Sequence, residues 1–275
     1  MAVVGWPNRP PEARTNSAAS EGALGGTLMM KAQESSAEAY PSASALWSAH
    51  SADAPWTVFW DEPVRVTLSR ISPVCGKRIL VLGCGDGPVS AQLARQGAHV
   101  VGLDLSFPAL AAAGRHGPGP AYVQADASTM PVAAATFDVT VSVSTLQYMP
   151  IPEVVENCRR ALRPGGVSVF IENLAGNPVA KVDRLRRRVL RIPEPPTMRI
   201  RRHLELGDLT FFRRVFNGVT AEVWYDWSTV LLPFLAAPPL VRRVVAAAVL
   251  RTGRATPTSA WRARFGWIVS IEARV

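Results

Sequence analysis

From Lys77 onward, short runs of β-branched and apolar residues alternate with stretches of helical length, and that alternation restricts the chain to a parallel sheet with crossover helices. The runs are Arg78–Leu82 (RILVL), His99–Leu103 (HVVGL), Tyr122–Ala125 (YVQA), Phe137–Val143 (FDVTVSV) and Val167–Glu172 (VSVFIE). Gly97, Pro131 and Pro164–Gly166 punctuate them, as residues that break helices and strands should. A doubly wound five-strand core follows. Two later runs, Val219–Tyr225 and Trp267–Arg274, are further strand candidates. Upstream, Val64–Ile71 has apolar residues near helical spacing and reads as a lead-in helix, preceded by Trp47, Trp56, Phe59 and Trp60.

The first run leads straight into Gly83-Cys84-Gly85-Asp86-Gly87, after which Val89–Gln96 has helical composition. A strand, a tight loop and a helix in that order form a site where a backbone can close on a ligand, and glycine is needed wherever φ must be positive. At the end of the next run, Asp104 lies 21 positions after Gly83. That matches the ~20-residue interval at which an acidic side chain meets ribose hydroxyls in such folds. The loop is G-x-G-x-G, and Pro88 stands where a dinucleotide-binding loop has its third glycine, which argues against nicotinamide-dependent oxidoreduction.

Four stretches carry a resemblance to the class I S-adenosylmethionine-dependent methyltransferases, in particular the small-molecule branch related to ubiquinone and menaquinone biosynthesis. They are VLGCGDG at 81–87, LDLS at 103–106, QADASTMPVAAATFDVTVS at 124–142 and LQYMPIPEVVENCRRALRPGG at 146–166. The resemblance implies an α/β fold: a doubly wound, Rossmann-like, seven-stranded, mostly parallel sheet with its last strand antiparallel, plus a helical cap insertion. It implies S-adenosyl-L-methionine as cofactor, with Gly83, Cys84, Gly85 and Gly87 wrapping the methionine part. Asp104 would accept from both ribose hydroxyls and Leu105 would pack on the adenine. Asp126 would accept from the adenine amino group, with Ala127 against the ring, and Ser144 would line the other side. The run Ala161–Gly166 matches the turn into the fifth strand, where glycine ends the preceding helix. Asp86 departs from the small or neutral residue usual at its position.

Methyl transfer from a sulfonium is an in-line displacement, so alignment and exclusion of water come first and a general base is optional. His203 and Tyr148 are the leading candidates for such a base, ahead of His50, Tyr40 and His116, although a capping or surface role is the more ordinary one for each. The four histidines are scattered and the cysteines lack C-x-x-C spacing, so no metal is expected.

Lys and Arg outnumber Asp and Glu by 30 to 21, with only three lysines, Lys31, Lys77 and Lys181. An arginine-rich GC-biased composition produces such an excess without any nucleic-acid partner. Much of it is local: Lys181–Arg202 holds nine basic residues against Asp183 and Glu194, a candidate gate for an anionic substrate, carrier or lipid surface. Val241, Val244, Val245, Ala248 and Val249 follow helical spacing between arginines, as a cap over an apolar acceptor would or as plain core packing would. The prolines and arginines in Val230–Leu250 argue against a membrane span.

Residues 1–41 are read as a disordered tail, with Met29 and Met30 as alternative starts, and 42–275 as the methyltransferase domain. Within it, 42–76 is the lead-in, 77–175 the cofactor-binding core and 176–275 the basic and apolar cap with the final strands. The lack of a basic cluster followed by an apolar run near Met1, and three unpaired-looking cysteines, suggest a reduced cytoplasmic protein. The leading expectation is therefore methyl transfer to a small, apolar, lipid-like or metabolite acceptor, at oxygen. RNA methylation and a non-catalytic protein docking on a membrane or partner are the alternatives.

Overall fold

The computed structural model describes residues 58–116, 119–177, 202–225, 239–253, 256–257 and 264–275, together with 181, 185, 188, 189 and 191. The expected tail, Tyr40, His50, Trp47, Trp56, most of the basic stretch 181–202 and residues 226–238 lie outside the described residues.

The chain opens with α1 (Val58–Arg70) and then β1 (Arg78–Leu82), α2 (Pro88–Arg95), β2 (His99–Asp104), α3 (Phe107–Ala113), β3 (Ala121–Gln124) and β4 (Phe137–Val143). There follow α4 (Ile151–Ala161), β5 (Leu162–Asn173), α5 (Asp208–Val215), β6 (Gly218–Trp224), α6 (Pro239–Thr252), β7 (Thr256–Pro257) and β8 (Ile268–Arg274). The sheet order is β3-β2-β1-β4-β5-β8-β6-β7. The first five strands are mutually parallel, and β8 runs antiparallel to both β5 and β6. Seven long strands thus take the expected arrangement, and the two-residue β7 is added at the far edge beside β6.

Both faces of the central strands are covered, which is why β1 reads as a nearly continuous apolar run and why Thr140 and Ser142 of β4 are buried as well. Leu80, Leu82, Val101, Leu103 and Phe170 face a core that includes α4 and α5 through Val154, Val155, Cys158, Leu209 and Phe212. Ile79, Val81, Val139, Val141, Val169 and Ile171 face the other core, with Phe59 and Leu68 of α1, Leu93 of α2, Leu110 of α3 and Val249 of α6. Phe212 meets Phe170 edge-on, with centroids 5.1 Å apart, and full burial of a side chain of that size stabilises by about 1.5–3 kcal/mol. Arg70, in the last turn of α1, pairs with both Glu222 and Glu272, fastening α1 to β6 and β8.

Two sequence expectations are modified. The lead-in helix begins at Val58, earlier than Val64, because Phe59 is fully buried and anchors the first turn despite Pro63. The run Ala161–Gly166 is not a separate turn ended by glycine: α4 stops at Ala161, and Leu162 is already extended and paired with Phe137. The register then moves from Phe137–Leu162 to Val139–Val167, so Arg163–Gly166 bulge out of β5, with Gly165 at φ 77°. Further along, α5 is confined to Asp208–Val215, and Leu204 forms a parallel bridge with Leu174.

In α6 only part of the apolar face is covered. Val249 is completely buried, whereas Val244 is 63% exposed and Val241 43%. No helix among the described residues is long and apolar enough to cross a membrane.

Candidate active site

The carboxyl ends of β1, β2, β4 and β5 converge at one edge of the sheet, where an open α/β fold places its ligand crevice. The loop after β1 is built on glycine: Gly83, Gly85 and Gly87 have φ of 55°, 54° and 85°. A Cβ at Gly83 would lie 2.5 Å from Thr145 Cγ2, and one at Gly87 would lie 2.5 Å from Tyr122 Oη. Gly87 caps α2, and Pro88 follows in the first turn, where its missing N–H costs nothing. Cys84 turns its thiol into the core beneath the loop; its amide donates to Leu103 O at 3.1 Å, and its carbonyl accepts from Gly87 at 3.0 Å. Burial pushes that thiol well above the ordinary range, and the nearby Asp104 charge adds to the effect.

Asp104 ends β2 beside this loop. The Gly85 amide donates to Asp104 Oδ2 at 2.8 Å, and the Ser106 amide to Oδ1 at 2.9 Å. Burial raises its carboxyl above the ordinary range, opposed by these amide bonds. Leu105 is partly exposed, and its carbonyl accepts from Gln124 Nε2 at 3.1 Å. After β3, Asp126 Oδ1 accepts the Ser128 amide at 2.7 Å in an Asx-type turn. Ala127 is buried in the core, and its carbonyl accepts from Asn157 Nδ2 at 3.2 Å. Ser144 follows β4 at φ 57°, a conformation that L side chains adopt at a cost; its amide donates to Ile171 O at 2.8 Å, and Gln147 Nε2 donates to its carbonyl and hydroxyl.

The backbone segments that carry the two base candidates are hydrogen-bonded to each other. The Arg202 amide donates to Gln147 O at 2.8 Å, and the Leu204 amide to Asn173 O at 3.1 Å. His203 therefore lies between backbone anchors to the residue before Tyr148 and to the end of β5. Both are partly exposed. His116 ends a short 3-10 turn, Gly114–His116, after α3. Among the described residues no group of three His, Cys, Asp or Glu side chains is arranged to hold a metal ion.

Sequence reasoning passed over Glu172, at the end of β5. It is 1% exposed, and its Oε1 accepts from Ser142 Oγ at 3.0 Å and from the amides of Thr145 and Leu146, both at 3.1 Å. Its Oε2 has no hydrogen-bond partner among the described residues. Burial raises its carboxyl to about 7 against those three bonds. A single acidic residue closing an otherwise apolar run was the available signal.

Comparisons with known proteins agree with this fold. A family model described as a methyltransferase domain matches residues 80–170. The malonyl-[acyl-carrier protein] O-methyltransferase of Enterobacter lignolyticus is 31% identical over 184 residues, covering 66% of this chain and 69% of that protein. The ubiquinone biosynthesis O-methyltransferase of Xylella fastidiosa is 34% identical over 149 residues, 50% of this chain and 60% of that relative. The chain thus spans less than two thirds of the ubiquinone-biosynthesis relatives it matches. Among solved structures, a Thermotoga maritima methyltransferase described as a possible histamine N-methyltransferase superimposes with a TM-score of 0.57 at 13% identity, over 80% of this chain and 92% of that one. At that identity the likeness is one of fold.

Proposed function

Because the chain belongs to the S-adenosylmethionine-dependent methyltransferases, we propose that it transfers a methyl group from that cofactor to the oxygen of a small, largely apolar acceptor. The observation that carries the reading is the hydrogen bond from Gly85 to Asp104 within a loop of three left-handed glycines, at the shared carboxyl edge of β1 and β2. A backbone cradle with glycine at three of its five positions, closed by a carboxylate, fits an adenosyl ligand: the loop follows the amino-acid part, and the carboxylate accepts from the ribose hydroxyls.

In this reading Gly83, Gly85 and Gly87 hold the methionine portion, with the Cys84 backbone contributing to the loop's shape. Asp104 takes the ribose and Leu105 flanks the adenine. Asp126 accepts from the adenine amino group, Ala127 borders the ring, and Ser144 lines the opposite wall. The bound cofactor supplies an electrophilic methyl on a sulfonium. The chain's own work is then to align the acceptor, exclude water and, for a hydroxyl acceptor, remove its proton. His203 and Tyr148 are the groups proposed for that proton, supported by the backbone bond between their neighbours Arg202 and Gln147.

Oxygen is favoured as the accepting atom because the named relatives are O-methyltransferases. The excess of basic residues in 181–202 would attract an acceptor borne by an anionic carrier or surface. The test is calorimetric titration with S-adenosylmethionine, S-adenosylhomocysteine and NAD, then transfer of labelled methyl to apolar hydroxylated acceptors. Binding of the first two without NAD supports the reading. A folded protein that binds neither overturns it.

A further inference from the structure

The carboxylate at the end of β5 is connected to the first glycine of the loop after β1 by an unbroken chain of short contacts. Glu172 Oε1 gathers the Thr145 and Leu146 amides and the Ser142 hydroxyl. Thr145 Oγ1 in turn lies 2.7 Å from Ser142 Oγ and donates to Leu82 O at 3.4 Å. The Thr145 methyl stands where a Cβ of Gly83 would be. Between these anchors the backbone passes through Ser144 at φ 57°, which a non-glycine residue holds only when its surroundings impose it. The Ser144 amide donates to Ile171 O, a further tie from this turn to β5.

Two further facts set Glu172 apart from an ordinary strand-end residue. Among the described residues it is buried without an ion-pair partner, and one of its oxygens has no hydrogen-bond donor. A fold that keeps an uncompensated carboxylate at its ligand edge bears a cost that an apolar residue would avoid. Among the described residues, burial raises its titration and its three hydrogen bonds oppose the rise.

We propose that Glu172 is a positioning residue for the cofactor site: by holding the Ser144–Leu146 turn it sets Thr145, and Thr145 sets the Gly83 end of the glycine loop. This rests on the cofactor reading given above. Glu172 touches neither cofactor nor acceptor in this role, and it acts through backbone geometry.

The experiment is calorimetric titration of the full chain with S-adenosylhomocysteine, comparing wild type, Glu172→Ala and Glu172→Gln, with circular dichroism to establish that each is folded. Glu172→Ala removes the acceptor for two amides and is expected to weaken binding about tenfold or more. Glu172→Gln keeps an acceptor oxygen and is expected to restore most of the affinity. An ionised acceptor holds amides more firmly than a neutral one, so wild-type affinity should fall as pH is lowered through about 7, while Glu172→Gln lacks that component. Asp104 titrates in both proteins, so the difference between their profiles isolates Glu172. If Glu172→Ala does not fold, Glu172→Gln with its pH profile decides the matter alone. Wild-type affinity in folded Glu172→Ala, or identical pH profiles for wild type and Glu172→Gln, would overturn the proposal while leaving the cofactor reading intact. Failure of folded wild type to bind at all overturns that reading, and this one with it.

Discussion

The Asp104 carboxylate reaches back over the glycine loop to take the Gly85 amide at 2.8 Å, so the residue proposed to hold the ribose also holds the loop that faces it. A carboxylate has about four acceptor sites, which leaves capacity beyond the amides of Gly85 and Ser106. Loss of the side chain removes a ligand contact and a loop anchor together. Asp104→Ala is expected to weaken S-adenosylhomocysteine binding about a hundredfold or more, and Asp104→Asn by less, since hydrogen bonds to a charged group contribute about 1.5–3 kcal/mol each. Calorimetry on folded variants decides it. Unchanged affinity for Asp104→Ala would remove this residue from the site.

The two outer loop glycines are closed off by different neighbours, and the responses to substitution should differ accordingly. Gly83→Ala drives a Cβ against the Thr145 side chain, which is itself pinned by Ser142 and Leu82, so binding should be lost with no simple rescue. Gly87→Ala meets the Tyr122 hydroxyl, the far end of a side chain, and the Ala113 Cβ at 2.9 Å. That hydroxyl is buried without a hydrogen-bond partner among the described residues. Tyr122→Phe should therefore be neutral or stabilising by up to about 1 kcal/mol, and it should recover part of the stability lost in Gly87→Ala. Denaturation midpoints of the two single variants and the double variant measure that coupling.

The strands and the glycine loop were legible because their signals are local. Arg78–Leu82 is almost wholly apolar and Phe137–Val143 alternates apolar with small or acidic residues, and the observed strands have the same bounds. The Gly83–Asp104 interval is likewise a property of one βαβ unit. What escaped the sequence depends on pairing across the sheet. The bulge at Arg163–Gly166 exists because β5 pairs with β4 on both sides of it, which a Leu-Arg-Pro-Gly-Gly string does not announce. Glu172 draws its meaning from Ser142 and Thr145, nearly thirty residues earlier, and only the parallel register of β4 and β5 puts them side by side.

The cysteines should separate by reactivity. Cys75 is exposed, whereas Cys84 and Cys158 are buried. Burial pushes the Cys158 thiol up to about 12 and the Cys84 thiol higher still, so neither supplies thiolate near neutral pH. Mass spectrometry after brief iodoacetamide treatment of native protein should show a single label, at Cys75, and three labels after denaturation. Rapid native labelling at Cys84 would mean that the loop opens far more readily than its hydrogen bonds indicate.

Glu172 should also set a pH dependence of stability opposite in sign to its effect on binding. Its carboxyl is raised from 4.5 to about 7, so between those values the folded protein holds the proton more tightly than the unfolded chain does. The protonated form is therefore the better tolerated one in the fold. This contribution is fully present below about pH 4.5 and is lost as pH rises through about 7, amounting to about 3 kcal/mol by order of magnitude. Glutamine cannot ionise, so Glu172→Gln should gain on wild type by up to that amount as pH is raised from about 5 to about 8. Urea unfolding of both proteins across that range measures the difference, in which all other titrating groups cancel to first order. A pH-independent difference would place the Glu172 titration outside this window. The expected result has a functional meaning: the carboxylate form that holds the Ser144–Leu146 turn most firmly is the form the core tolerates least, so stability is given up at the position where the cofactor loop needs a strong acceptor.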